Sequence, residues 1–194
     1  DLVRFHIFRR SIDARKRDAM LFVYTINVEV RNQSALLARV KGDRRISQAP
    51  DTSYKFVAKA SPTQSNRPLV IGMGPSGLFA ALILAQSGFR PIILERGKAM
   101  RERTKDTFRM WEDGTLDPES NTQFGEGGAG TFSDGKLYSQ IKDPKHYRLK
   151  VLDEFVQAGA PEEILYVNRP HIGTFRLVGV VEKMRAKIIE LGGE

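Results

Sequence analysis

The chain has 194 residues, of which 41% are hydrophobic and 28% are charged, a composition typical of a globular protein with one or two domains. It contains no cysteine, which excludes disulfides, iron–sulfur clusters, thiolate zinc sites and cysteine nucleophiles. The three histidines show no metal-ligand spacing, and no apolar run approaches the roughly 20 residues that cross a bilayer. We therefore expect a cytoplasmic protein without a metal site or membrane contact.

The net charge of +8 is concentrated in the first third of the chain. Residues 1–60 hold 13 Lys and Arg against 6 Asp and Glu, whereas residues 61–194 hold 18 against 17. A basic region of this kind can bind nucleic acid through phosphate contacts, although a solvated basic face is the more common origin of the pattern.

Residues 1–60 predict a small basic α+β domain. Two strands are expected over 2–9 and 20–30, followed by a short helix that begins after Asn32 or Ser34. Residues 52–60 read as a last strand. The order β-β-α-β fits the later part of a ferredoxin-like fold, so we expect the chain to begin inside a domain.

The pattern changes after residues 61–67, which are small and polar and predict a linker. Residues 68–194 then run strand, glycine turn, helix and strand, an order that predicts a parallel α/β sheet. The first strand, "PLVIG", is short and wholly apolar, as is typical of strands buried on both faces. An amphipathic helix is expected within 98–117, and a final helix over 175–191.

The glycine turn between the first strand and helix has the G-x-G-x-x-G spacing of a dinucleotide site. Gly72 would allow a tight turn, Gly74 a close approach of the backbone to a pyrophosphate, and Gly77 close packing of the helix on the strand. Pro75 suits the first helical turn, where its missing N–H costs nothing. Ser76 lies at the helix N-terminus, where unpaired N–H groups and the helix dipole favour an anion.

The second strand ends in "ERG", with Glu95 lying 18 residues after Gly77. A carboxylate at this distance is expected to bind the ribose hydroxyls of the adenosine, and it disfavours the 2′-phosphate of NADP. Arg96, Arg101 and Arg103 follow. Arg101 or Arg103 could reach the pyrophosphate, although a solvated helix face is the commoner role for such residues. Arg96 and Arg103 are predicted cofactor-binding residues.

A second glycine cluster, "FGEGGAGTFSDGK", holds five glycines between residues 125 and 135. Ordering so many glycines carries a high entropy cost, so the backbone is expected to approach a ligand closely and to present N–H groups to an anion. The alternative is a flexible surface loop, but Phe124, Phe132 and Leu137 would anchor it. Asp134 could contact the ribityl chain or the flavin ring. The remaining predicted cofactor-binding residues of this cluster are Gly125, Gly127, Gly128, Ala129, Gly130, Ser133 and Lys136.

Two segments resemble known flavoproteins. "IGMGPSGLFAALILAQSGFRPIILERG" resembles the FAD fingerprint of proteins with two dinucleotide-binding folds, in which "GPSG" and a terminal "ERG" are common. "FGEGGAGTFSDGKLYSQIKD" and "RPHIGTFRLVGVVEKMRAKIIELGGE" are similar to a family of bacterial NAD(FAD)-utilising dehydrogenases, as is the N-terminal "FRRSIDARKRDAMLFVYTINVEV". The resemblance implies a Rossmann-like FAD-binding domain over 68–194, FAD as cofactor, NAD(P)H as an electron donor, and no settled substrate.

Catalytic residues are not specified by the pattern. His171, in "RPHIGT", could act as an acid or base, and Lys136 could stabilise negative charge on a reduced flavin. The family's later segments, which complete an FAD site, do not occur before Glu194, so we expect an N-terminal fragment. Three hypotheses remain: an FAD-dependent oxidoreductase, an RNA-linked flavoprotein that uses the basic N-terminal domain, and a non-catalytic nucleotide-binding module.

Overall fold

The computed structural model describes residues 2–133 and 135–194. Its N-terminal part is an antiparallel hairpin of β1 (Leu2–Asp13) and β2 (Leu21–Val30). A short helix follows, α1 (Gln33–Arg39), and the Asn32 side chain caps it by accepting a hydrogen bond from the amide of Ala35 at 3.0 Å. The two predicted strands and the helix are therefore confirmed, with Asn32 rather than Ser34 as the cap.

The expected last strand over 52–60 is wrong, because this segment contains neither strand nor helix. Its aromatic residues pack on the α/β part of the molecule instead. Tyr54 and Phe56 form an edge-to-face pair at 5.0 Å, and the Lys150 ammonium lies over both rings. The backbone amide of Ala60 donates to the carbonyl of Ser87 at 2.8 Å. The apolar residues that suggested a strand thus serve tertiary contacts, and the described residues of this region do not complete a ferredoxin-like order.

The second half of the chain is an α/β unit. Strands β3 (Leu69–Ile71) and β4 (Ile92–Leu94) are parallel and are connected through helix α2 (Pro75–Gln86). The backbone of Glu194 bonds to β4 on both sides of Ile92, accepting from Ile93 at 2.7 Å and donating to Pro91 at 2.9 Å. The remaining helices are α3 (Met100–Asp113), α4 (Tyr147–Gln157) and α5 (Thr174–Glu190), with 3₁₀ turns at Ala129–Phe132 and Glu162–Leu165.

The hydrophobic core lies between α2, α5 and one face of the two short strands. Leu82 of α2 and Val180 of α5 are almost wholly buried, with Val70 of β3 against them. The prediction that the first strand is buried on both faces is wrong, since Leu69 and Ile71 are 57% and 73% exposed. Helices cover one face of this sheet, and no described residue packs over the other to the same extent.

The hairpin meets the α/β unit along one short edge. The amide of Arg10 donates to the carbonyl of Tyr166 at 2.7 Å, and residues 10 and 167 form a parallel bridge. The guanidinium carbon of Arg10 lies 5.3 Å from the centroid of the Phe22 ring and 5.6 Å from that of Tyr166. The chain is therefore a mixed α/β protein with two small sheets, and none of the helices in its described parts is long and apolar enough to span a membrane.

Candidate functional site

The glycine turn between β3 and α2 adopts the geometry that its sequence predicts. Gly72 has φ +88°, a left-handed conformation that glycine tolerates. A Cβ on Gly77 would lie 1.9 Å from the carbonyl oxygen of Gly72 and 3.5 Å from Val70, so only hydrogen fits there. The tight turn at Gly72 and the close helix–strand packing at Gly77 are thus confirmed.

Gly74 differs from its two neighbours because it is not required for packing. It is the N-cap of α2 in an extended conformation, and a Cβ there would meet nothing nearer than the Cα of Gly128 at 4.0 Å. Pro75 opens the helix, and the first-turn N–H groups of Ser76 and Gly77 have no acceptor within the helix. This end of α2 therefore presents backbone donors beside a glycine that leaves room for a ligand.

Glu95 directly follows β4 and lies against the same turn. Its Oε2 accepts from the amide of Met73 at 2.6 Å, and its Oε1 accepts from the amide of Gly97 at 2.8 Å. The carboxylate thus joins the turn after β3 to the turn after β4. Hydrogen bonds from ribose hydroxyls to Glu95 stay a prediction. Each carboxylate oxygen can accept a further hydrogen bond, so both are available to a ribose.

The two glycine-rich segments, about fifty residues apart in sequence, are in direct contact. The amide of Gly127 donates to the carbonyl of Met73 at 2.8 Å. A Cβ on Gly128 would lie 2.9 Å from Cδ of Pro75 and 3.2 Å from Cα of Gly74. The second segment is therefore no free surface loop, because its backbone packs on the N-terminus of α2.

Gly97, which the sequence analysis did not single out, allows a second close approach. A Cβ on Gly97 would lie 2.4 Å from Cα of Gly125 and 2.9 Å from the carbonyl oxygen of Glu119. The glycine of "ERG" is thus a packing requirement of the second glycine segment. The position of Gly97 two residues after Glu95 was the feature of the sequence that could have indicated this role.

Arg103 organises this arrangement from inside α3. Its side chain is wholly buried, and its guanidinium donates to the carbonyl oxygens of Asn121, Thr122, Glu126 and Gly128 at 2.6–2.9 Å. Burial lowers the pKa of this guanidinium, and the charges of Glu95 and Glu126 oppose that shift.

The solvated-face interpretation is therefore wrong for Arg103 but correct for Arg101, which is exposed and paired with Glu182. The buried face of α3 carries Met100, Arg103 and Thr107, whereas Trp111 is 54% exposed and packs edge-to-face on Phe132. Direct contact of Arg103 with a cofactor stays a prediction.

Glu126 is a buried carboxylate that the sequence analysis missed. Its Oε2 accepts from the amide of Met100 at the start of α3 and from Nη1 of Arg185 on α5, both at 2.7 Å. A negative charge at a helix N-terminus is stabilising. Its Oε1 is buried and accepts no hydrogen bond from the described residues. One acidic residue within a run of glycines was the signal that could have revealed it.

A second ionic cluster ties the chain after α3 back to that helix. The Lys98 ammonium contacts Asp106 at 2.8 Å and Asp117 at 3.1 Å, and the Ser120 hydroxyl donates to Asp106 at 2.7 Å. The hydrogen bonds from Lys98 and Ser120 hold the pKa of Asp106 below its ordinary value. This cluster positions the residues that lead into the second glycine segment.

Two other predicted cofactor residues make protein contacts of their own. Arg96 pairs with Glu119 at 2.7 Å and stacks over Phe124, with 4.8 Å from its guanidinium carbon to the ring centroid. The Ser133 hydroxyl donates to the carbonyl of Gly130 at 2.7 Å, in the turn that begins at Ala129. Asp134 lies outside the described residues.

The two candidate catalytic residues are neighbours. Lys136 and His171 form an antiparallel bridge, and both line a cleft of about 590 Å³ together with Tyr138, Arg169 and the start of α5. Thr174, at that helix start, donates to the carbonyl of Ser133 at 2.6 Å, which places the cleft beside the second glycine segment. Catalytic roles for Lys136 and His171 stay predictions.

Comparison with known proteins adds relatives but no activity. The model of a domain of unknown function, DUF8436, matches residues 1–29. The whole chain is 45% identical over its 194 residues to an uncharacterized protein of Clostridium beijerinckii, and it spans 36% of the length of that protein. The similarity therefore extends across both the hairpin and the α/β unit.

Proposed function

We propose that this chain holds the diphosphate part of FAD within a Rossmann-like domain of a flavin-dependent oxidoreductase of the NAD(FAD)-utilising dehydrogenase type. The observation that carries the proposal is the contact between the two glycine-rich segments at the N-terminus of α2, where Gly128 packs on Gly74 and Pro75. Glycines of two backbone segments, meeting at the positive end of a helix, suit a pyrophosphate.

The surrounding residues fit the same ligand. Gly72, Gly74 and Ser76 would bind the phosphates through the backbone, and Glu95, at the end of β4, would accept from the adenosine ribose. Residues 125–130 would contact the other side of the diphosphate, with Arg103 fixing their carbonyls so that amides are available to an anion. FAD would supply the hydride chemistry, with NAD(P)H as donor, while the protein supplies binding and electrostatics.

The substitution Gly74→Ala tests this function without disturbing the fold. Its Cβ would find open space in the protein, and the backbone there is extended, which any residue adopts. We therefore expect the unfolding free energy to stay within about 0.5 kcal/mol, as for a neutral substitution. The same methyl group would obstruct a phosphate, so we expect FAD binding, measured by titration calorimetry, to weaken roughly tenfold or more, or about 1.4 kcal/mol.

Gly179→Ala is the matched control, because that Cβ also meets open space but lies on α5, away from the glycine segments. Its FAD affinity should equal that of the unsubstituted protein. Equal affinity in Gly74→Ala, or no FAD binding by the unsubstituted protein, would overturn the proposal. Reduction of the bound flavin by NADH or NADPH would then test the oxidoreductase step separately from binding.

A further inference from the structure

An open cleft of about 1090 Å³ lies between β1, the segment 137–149 and the segment 165–169, and we call it the basic groove. We propose that the basic groove binds single-stranded nucleic acid. This inference does not rest on the proposed FAD site, since the groove contains none of the glycine-segment residues and shares only Tyr138 and Arg169 with the cleft of Lys136 and His171.

The charge of the groove supports a polyanionic ligand. Five cationic side chains line it, all of them exposed, and none forms an ion pair with a residue in the described parts of the chain. A cation that is not paired with a carboxylate is available to a phosphate, and each such contact releases counterions from the nucleic acid. The five are Arg9, Lys142, Lys145, Arg148 and Arg169.

A single acidic residue, Asp143, is found among the described residues that line the groove. Its carboxylate is turned toward the start of α4, where it accepts from the amide of Tyr147 at 2.9 Å and from the amide of Arg148 at 2.8 Å. The carboxylate is thus held against backbone donors. The groove keeps an excess of positive charge.

The groove also offers aromatic rings beside these cations. Tyr138 and Tyr147 are about half exposed, and Tyr166 is half-buried. Arg169 lies 5.6 Å from the Tyr138 ring and Lys145 lies 5.8 Å from the Tyr147 ring. Rings for base stacking alternating with cations for the backbone are the combination that proteins use for single strands.

Size and shape favour an extended strand over a free nucleotide. Pockets for small ligands enclose about 300–1,000 Å³ and bury most of the ligand, whereas the basic groove is larger, open and lined from three separate segments. Four of its five cations lie beyond residue 60. The nucleic-acid surface is therefore the seam between the hairpin and the α/β unit, and not the basic N-terminal region by itself.

The test is fluorescence anisotropy of a labelled oligouridylate of about 12 nucleotides, a length within the site sizes of single-strand binders. Binding to the purified protein is measured across a series of salt concentrations. Each phosphate contact contributes about −0.7 to the slope of log K against log salt. In the triple variant Lys142→Ala, Lys145→Ala and Arg148→Ala, the slope should therefore become less negative by about 2. Binding should weaken roughly tenfold or more.

The control removes the same charge from the N-terminal region, by Arg39→Ala, Lys41→Ala and Arg44→Ala, three exposed residues outside the groove. Its slope should match that of the unsubstituted protein. The double variant Arg9→Ala, Arg169→Ala is a second groove variant. If circular dichroism shows that the triple variant is misfolded, the double variant still tests the proposal. Equal losses in groove and control variants, full competition by free uridine monophosphate at equal concentration, or no binding at low salt would each overturn the proposal.

Discussion

The hairpin and the α/β unit contain similar apolar residues but use them differently. All the fully buried hydrophobic residues of the described chain lie between Met73 and Ile188. In the hairpin, by contrast, Phe22, Tyr24 and Ile26 are 61%, 48% and 50% exposed. Both sheets have two strands, but α2 and α5 cover one face of the β3–β4 sheet, whereas the hairpin contacts the α/β unit along one edge.

This contrast shows where the stability of the molecule resides. A two-stranded hairpin is marginally stable in water without a layer packed on it. Burial of apolar surface, which contributes about 25 cal/mol per Å², is concentrated in the α/β unit. Loss of a buried group in that unit should therefore lower the unfolding free energy much more than loss of an exposed side chain in the hairpin. Four substitutions test this contrast.

Gly77→Ala should prevent the α/β unit from folding. The added Cβ would lie 1.9 Å from the backbone carbonyl of Gly72, which cannot move without breaking the turn and its bond from Gly72 to Leu94 at 2.7 Å. Soluble yield and circular dichroism measure the effect. Gly179→Ala, which adds the same methyl group to α5 in open space, should instead stabilise by about 0.5–1 kcal/mol. Similar unfolding midpoints for the two variants would contradict the packing argument.

Arg103→Lys should lower the unfolding free energy by about 3 kcal/mol. A single ammonium cannot reach the four carbonyls that the guanidinium serves, and each buried group left unpaired costs about 1–3 kcal/mol. Urea unfolding provides the measurement. The same replacement at exposed Arg101 should change stability by less than about 0.5 kcal/mol, as for surface pairs. A cost below 1 kcal/mol at Arg103 would show that the second glycine segment holds its conformation without it.

Leu82→Ala and Ile26→Ala compare the two regions directly. Leu82 is 1% exposed in the core, so its truncation should cost about 2–5 kcal/mol. Ile26 is 50% exposed in the hairpin, and its truncation should cost less than about 1 kcal/mol. Comparable losses would mean that the hairpin's apolar side chains are buried in solution.

The smallest predicted effect concerns pH. The pKa of Asp106 is lowered in the folded protein, so this carboxylate stabilises the fold above its ordinary value of 3.8 and loses that contribution as pH falls through the folded pKa. The difference in unfolding free energy between the protein and Asp106→Asn should be greatest near neutral pH and should shrink below pH 3.8. A difference that is constant with pH would assign the effect to packing instead.

Local structure in the α/β unit could be predicted because glycine and helix signals act over a few residues. The turn at Gly72, the position of Glu95 and helices α2, α3 and α5 each depend on neighbours in sequence. The segment 52–60 was predicted incorrectly as a strand. Apolar side chains such as Tyr54 and Phe56 can pack equally well within a sheet or, as here, against a helix. The exposure of one face of β3 could not be predicted either. The residues of a strand do not specify whether a second layer packs over it.

The contents of the candidate site divide in the same way. The places where the backbone can bend and approach closely could be read from the sequence alone, because the missing Cβ is a property of glycine itself. These places are Gly72, Gly74, Gly77 and the second cluster. Tertiary packing, by contrast, brings the two glycine segments together, directs Arg103 to the carbonyls of the second segment, and places Glu126 at the first amide of α3. Those contacts join residues about 20 to 60 positions apart, and the packing of α3 and α5 against the turns sets their geometry.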